Sequence, residues 1–305
     1  MKGNTTWLGL FFAILAIVWF VFFALENLPK IEGGVWLQKS TWLGVGVGAL
    51  IYACIIPVSA WAWMILLSAC GEKRSGFSLA VLMGKTQLAK YIPGNVAQHA
   101  ARMAFALRSG IPVPAYVTTV FQETVLAALA SISVGLLVVA IYPAQWLGVA
   151  KIIGEIEWMW IAAVTTFSLA FAALLIFLLG KKHYFTSKHL PRPSAAFVAF
   201  GAYSINYAVV GVGLFALARL SGMPSGLGLA ALTGAFALSW ILGFLAPGAP
   251  AGLGVREALM VFLLAGFARP EELLVFVILA RVMTMIGDCI CFVVAWGVDY
   301  VAEGG

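Results

Sequence analysis

Arg102 and Arg256 each lie nine residues after the proline of a Pro-Gly pair, Pro93-Gly94 and Pro247-Gly248. A guanidinium offers planar, two-pronged hydrogen bonding to a phosphate, and Lys85 and Lys90 could add point charges beside the first of them. After Gly94, the polar residues Asn95, Gln98, His99 and Arg102 recur at i, i+3, i+4 and i+7, which places them on one face of a helix. Glu123 lies nine residues past Pro114, which as a helix puts it roughly 13 Å into an apolar run. A carboxylate at that depth is costly unless paired or protonated, so Arg102 or Arg256 is its expected partner. Arg281 and Asp288 stand seven apart, two turns along one face, able to pair with Glu257 or with each other through Thr284. Together these groups describe a site for a phosphate, with Glu123 and either Glu257 or Asp288 balancing the cations when it is empty and binding any cationic part of a head group.

Each group also has a plainer role. Lys90 and Arg108, near the ends of short helices, can snorkel to the interface. Glu123 can be a buried ion pair that fixes helix packing. His99 can be a hydrogen-bonded helix residue rather than a titrating one.

The elements that must hold these residues are set by composition. Of 305 residues, 63% are apolar and only 10% charged, which excludes a soluble globular protein. Low charge leaves little room for an extramembrane ATPase, Rossmann unit or nucleic-acid reader, and the net charge of +6 is explained by membrane orientation and anionic lipid. The expectation is an all-α, polytopic integral membrane protein with no nucleic-acid partner. Apolar runs suited to spans are Trp7 to Leu25, Thr41 to Cys70, Pro114 to Tyr142, Trp158 to Leu179, Ser194 to Leu220, Gly226 to Ala246 and Glu272 to Val298, about seven in all. Trp7 to Leu25 lacks a small-residue cleavage site and reads as a retained anchor. Lys181, Lys182, Lys188 and Arg192 put their loop in the cytoplasm, and working back through the loops puts the N-terminus there too.

Two stretches do not fit as simple spans. Phe77 to Ile92, 16 residues or about 24 Å as a helix, is too short and too polar to cross alone, and Pro93-Gly94 breaks it so that a new helix can begin at Asn95. From Ala246 to Phe267, Pro247, Gly248, Pro250, Gly252 and Gly254 prevent continuous helix, which resumes over Val255 to Leu264. Non-helical backbone at membrane depth survives only where protein or a water-filled cavity surrounds it, so both breaks point inward as re-entrant segments. Interrupted segments in corresponding halves mark transporter binding sites and suggest an inverted repeat. Cys54, Cys70, Cys289 and Cys291 lie in apolar runs with no metal-ligand spacing and read as buried and inert. Gly44, Gly46 and Gly48 read as a close helix contact, one that could serve a homodimer. With no nucleotide loop, zinc-type His/Glu set or Ser-His elbow, the sequence offers no sign of catalysis, metal or cofactor.

Gly84-Lys85 through Lys90-Tyr91-Ile92-Pro93-Gly94-Asn95-Val96, then Arg102, Arg108-Ser109-Gly110 and Glu123, resembles the first signature of the lysylphosphatidylglycerol synthase transmembrane (flippase-like) family. Pro247-Gly248-Ala249-Pro250-Ala251-Gly252-Leu253-Gly254-Val255-Arg256-Glu257-Ala258 is similar to its second, usually Pro-Gly-Gly-Leu-Gly-Val-Arg-Glu, with three extra residues between Gly248 and Gly252. The resemblance covers most of the chain as one transmembrane domain. It implies a multi-pass protein of the bacterial inner membrane, similar to the flippase region of the multiple peptide resistance factor. There the region translocates aminoacylated phosphatidylglycerol ahead of a cytosolic synthase domain; here the chain ends at Gly305, and transport without aminoacylation is expected. The expected function is a lipid flippase or scramblase for an anionic or aminoacylated phospholipid or a polyprenyl-phosphate-linked lipid. The alternatives are a non-transporting partner of a separate lipid-modifying enzyme, or an intramembrane transferase using His99 and Glu123 as acid and base.

Overall fold

In a bilayer every backbone amide of an apolar run must find its partner inside its own segment, which leaves helix as the solution for a chain of such runs. A computed structural model describes residues 34–35, 38–91, 97–141, 193–246 and 252–303, and over these the chain forms nine α-helices and one 3-10 helix, with no strand. They are α1 (Lys39–Ala53), α2 (Ile55–Ala69), α3 (Gly76–Lys85), the 3-10 helix (Gln87–Tyr91), α4 (Ala97–Arg108), α5 (Val113–Ile141), α6 (Pro193–Leu220), α7 (Leu229–Leu245), α8 (Val255–Leu264) and α9 (Pro270–Glu303). The expected spans at Trp7–Leu25 and Trp158–Leu179, the basic loop Lys181–Arg192, and Pro93, Gly94, Asn95, Pro247, Gly248 and Pro250 lie outside the described residues.

Four elements are long and apolar enough to cross a membrane: Lys39–Ala69, Val113–Ile141, Pro193–Leu220 and Pro270–Tyr300. Their bounds fall within a few residues of the expected spans. The first is bent at Cys54, because Pro57 has no amide hydrogen for the Ala53 carbonyl four residues back. The Cys291 thiol donates to that freed carbonyl across 3.6 Å. The cysteines are therefore not uniformly buried and idle: Cys54 and Cys289 are exposed, Cys291 is half-buried and employed, and Cys70 alone is buried. Burial, with help from the Glu72 charge, pushes the Cys70 thiol up to about 11.

The run expected to span from Gly226 to Ala246 is shorter. Only the 17 residues of α7 are helical, about 26 Å, which is less than the hydrocarbon thickness. Gly228 is extended and delays the start, and Ala246, which precedes Pro247, is extended at φ −75° and ψ 105°, as a residue before proline must be. Hence α7 is the first limb of the second interrupted segment, with α8 as the second limb over the expected Val255–Leu264. In the first such segment the helix tightens after Lys85. Thr86 donates its hydroxyl to the Met83 carbonyl at 3.0 Å, and the chain continues as the 3-10 helix before α4 begins at Ala97.

The described chain thus runs twice through one order: a long span, an interrupted pair, a long span. The halves pack crosswise, α5 of the first covering α7 of the second while α9 covers α3 and the 3-10 helix, and α1 lies against α6. The inverted sense of this repeat depends on the run at Trp158–Leu179, outside the described residues.

Large side chains such as Leu43, Leu50, Phe77 and Phe197 face outward, while Ala196, Ala199 and Ala202 of α6 are buried. This is the arrangement expected where lipid gives helices no hydrophobic reason to associate and small residues let backbones approach. Gly44 and Gly48 are spent on such contacts within the bundle: a methyl on Gly44 would stand 3.0 Å from the Leu220 Cβ, and one on Gly48 2.9 Å from the Gly213 carbonyl. Gly84 does the same between α3 and α9, where a methyl would lie 2.7 Å from the Ala295 Cβ and 2.9 Å from the Cys291 carbonyl oxygen. Gly84→Ala is accordingly expected to cost about 1–3 kcal/mol by forcing the helices apart. In detergent it should melt below the parent protein, whereas Gly201→Ala, whose methyl meets nothing within 4 Å, should not.

Candidate functional site

The interrupted pairs of both halves open onto one cavity of about 270 Å³. Its walls come from every described helix but α9, and they bring Arg102 and Arg256, far apart in sequence, into the same space. Lys90, Gln98, His99 and Glu123 line it as well.

Arg102 is fixed more firmly than its residue type requires. Its Nη1 and Nη2 donate to Glu123 Oε1 and Oε2 at 3.0 and 2.7 Å, the two-pronged geometry only arginine provides. The guanidinium carbon lies 3.9 Å from the centre of the Trp63 ring, and Trp63 is itself held by donation from its indole N–H to Thr119 Oγ1 at 2.9 Å. Arg102 is only 5% exposed, so most of its charge faces Glu123 and an aromatic face rather than open space. Of the two partners expected for Glu123, the structure selects Arg102.

Arg256 stands at the other end. Its guanidinium lies over the Phe236 ring, 4.9 Å from the centre, and among the described residues it meets no carboxylate. Its stem passes through a slot made by two glycines: a methyl on Gly252 would come within 2.6 Å of the Arg256 Cδ, and a methyl on Gly243 would collide with the same side chain. Gly252 and Gly254 have φ of 70° and 80°, the left-handed region that glycine alone enters without strain, and this turn delivers Arg256 into the cavity.

The remaining expected site residues divide. Lys90 lines the cavity, yet rather than snorkelling it donates to Asp288 Oδ1 at 2.7 Å. Asp288 lies behind the wall, 1% exposed, and also accepts from Gln87 Nε2 at 2.8 Å and the Tyr91 hydroxyl at 2.5 Å. It is a tie between α9 and the 3-10 helix, not a counter-charge in the cavity. Glu257 is likewise occupied: it accepts from the Gly254 amide at 2.7 Å, capping α8, and meets Arg281 at 3.5 Å. That pair lines a second pocket of about 20 Å³, room for one water, which shares Phe236 and Arg256 with the cavity. Lys85 does not reach the cavity; it pairs with Asp299 and lies over the Trp296 and Phe105 rings. Asn95 lies outside the described residues. Among the expected carboxylates, Glu123 is therefore the one that lines the cavity.

Sequence reasoning missed the wall from α6. Tyr203, Asn206, Tyr207 and Val210 all line the cavity, at i, i+3, i+4 and i+7. That is the same periodicity that marked Gln98 and Arg102, and three polar residues within one turn of an apolar span were its signal. Asn206 donates to Ser59 Oγ at 2.8 Å, and Tyr207 donates to the Ala127 carbonyl at 3.0 Å while its ring meets Trp240 edge-on at 5.7 Å.

No curated protein matches the chain. The family model described as the lysylphosphatidylglycerol synthase TM region does, over residues 6–290. That span takes in both interrupted pairs and every wall of the cavity, and the chain belongs to the lysylphosphatidylglycerol synthase transmembrane family.

Proposed function

We propose that the protein carries phosphate-bearing lipids between the leaflets of the bacterial inner membrane, with no chemical change to the lipid. The observation that carries this reading is a cavity walled by both halves of the repeat that contains a guanidinium, Arg256, with no carboxylate partner among the described residues. An unpaired cation inside a membrane protein is costly and marks a pathway or a ligand site. The lipid phosphate binds Arg256 by paired hydrogen bonds, while Lys90, whose charge Asp288 balances, lines the same cavity. The acyl chains remain in the bilayer while the head group sits among the helices.

Two long spans each cover the other half's interrupted pair, so movement of one half changes both ends of the cavity together. A head group shifts that equilibrium only through contacts that differ between the two states. Arg256 supplies such a contact because its partner arrives with the substrate. Arg102 does not, since Glu123 already holds both its terminal nitrogens.

Purified protein in liposomes containing fluorescent anionic phospholipid should speed exchange of label between leaflets, and Arg256→Ala should slow that exchange by about tenfold, the effect of losing about 1.4 kcal/mol. Undiminished exchange in Arg256→Ala would remove the proposed role. Chemical conversion of the lipid by the purified protein would instead favour a transferase.

A further inference from the structure

The charges that line the cavity are unequal. Lys90, Arg102 and Arg256 stand against the single carboxylate of Glu123, and both oxygens of that carboxylate are taken by Arg102. Asp288 neutralises Lys90 from behind the wall. In sequence, the two breaks at 92–96 and 247–251 contain no Asp or Glu. Among the described residues, an incoming ammonium would therefore find a net positive space and no carboxylate free to receive it. A phosphate would find Arg256.

The rest of the lining is neutral. Tyr203 is 3% exposed, and among the described residues its hydroxyl has no hydrogen-bond partner; one turn along α6, Asn206 Oδ1 has none there either. Both atoms are covered in the empty cavity, so a head group reaches them as the wall adjusts around it. A phosphate oxygen cannot satisfy the Asn206 oxygen, since both only accept. A hydroxyl satisfies both groups, donating to Asn206 and accepting from Tyr203. Tyr207, Trp240 and Phe244 complete this side with aromatic surface, Trp240 and Phe244 being stacked at 5.4 Å. The volume, about 270 Å³, equals that of roughly nine liquid waters, enough for a phosphate and a small polyol.

We infer that the cavity selects lipids whose phosphate carries a neutral polyol, glycerol or a sugar, and rejects head groups that carry an ammonium. This rests on the reading of the cavity as a head-group site. It separates this chain from the aminoacylated lipid in its family's description, because a lysyl group would bring positive charge to the side where none can be matched.

The test uses the whole protein in phosphatidylcholine vesicles doped with equal amounts of phosphatidylglycerol, phosphatidylinositol, phosphatidic acid, phosphatidylethanolamine and lysylphosphatidylglycerol. Lipids retained through re-extraction and purification are counted by mass spectrometry. Phosphatidylglycerol or phosphatidylinositol should be enriched about tenfold over lysylphosphatidylglycerol, equivalent to about 1.4 kcal/mol. Whichever of the two is favoured tells whether an open-chain or a cyclic polyol fits the wall better. Equal or stronger retention of lysylphosphatidylglycerol would overturn the inference. Tyr203→Phe should shrink the preference for phosphatidylglycerol over phosphatidic acid several-fold and leave phosphatidic acid itself unchanged; an unaltered preference would overturn the role of the neutral wall. Should no lipid cross the bilayer while the retention order holds, transport fails and this inference stands. Should lysylphosphatidylglycerol cross as fast as phosphatidylglycerol, this inference fails and transport stands.

Discussion

Arg102→Ala should lower the stability of the protein by about 3–5 kcal/mol, because it leaves Glu123 as an uncompensated charge within the bundle. The Glu123 side chain is 15% exposed and, among the described residues, meets no other cation. Glu123→Ala should cost a similar amount for the converse reason, with Arg102 stranded against Trp63. Removing both charges is a different matter. A buried ion pair replaced by apolar residues of similar volume is often close to neutral, since two desolvation penalties vanish with the attraction. Arg102→Met combined with Glu123→Leu should therefore recover most of the loss in either single variant. Melting in detergent, followed by tryptophan fluorescence for the four proteins, gives the coupling directly. The same double variant separates scaffolding from binding. If it regains stability and lipid exchange, Arg102 acts by fastening α4 to α5; if it regains stability alone, Arg102 also meets the substrate.

The difference between Arg102 and Arg256 shows what the sequence could and could not reveal. The two follow similar Pro-Gly breaks at equal spacing, and by pattern they are equivalent. What separates them is packing, which sets α5 with Glu123 beside α4 and, among the described residues, brings no carboxylate to the Arg256 guanidinium. Composition and run length were enough for the helical membrane class and for four spans, because in a bilayer those follow from backbone satisfaction alone. Proline and glycine were enough to locate the interruptions. The assignment of Asp288 and Glu257 was not legible, since either could have turned to the cavity. Which cation they meet is decided by the rotation of α8 and α9 and by the elements packed against them, which neither helix's own sequence carries. The α6 wall was legible in principle: Tyr203, Asn206 and Tyr207 break the apolar surface of one span at helical spacing.

Asp288→Ala should be as damaging as loss of Arg102, and its damage should be local. Three donors converge on this one carboxylate, and all three come from the 3-10 helix: Gln87, Lys90 and Tyr91. Alanine leaves Lys90 charged and unpaired at a wall where its side chain is 20% exposed, a penalty of about 3–5 kcal/mol, with two neutral donors orphaned besides. A five-residue 3-10 helix has little hold of its own, because its hydrogen bonds are poorly aligned and few, so its position depends on this tie to α9. Hydrogen exchange should show the amides of Gln87–Tyr91 opening much faster in Asp288→Ala while those of α6 keep their protection. Uniform acceleration along the chain would mean that Asp288 supports the bundle as a whole. Lys85, at the end of α3, and Asp299, farther along α9, form a second tie that the substitution leaves intact, so α3 should stay on α9. Any movement of the first interrupted pair that opens the cavity must then begin at the Asp288 tie. Its three bonds set the cost of that movement. For that reason Asp288→Asn, which keeps the shape but replaces one accepting oxygen with a donor facing donors, should alter the rate of lipid exchange even where the folded protein survives.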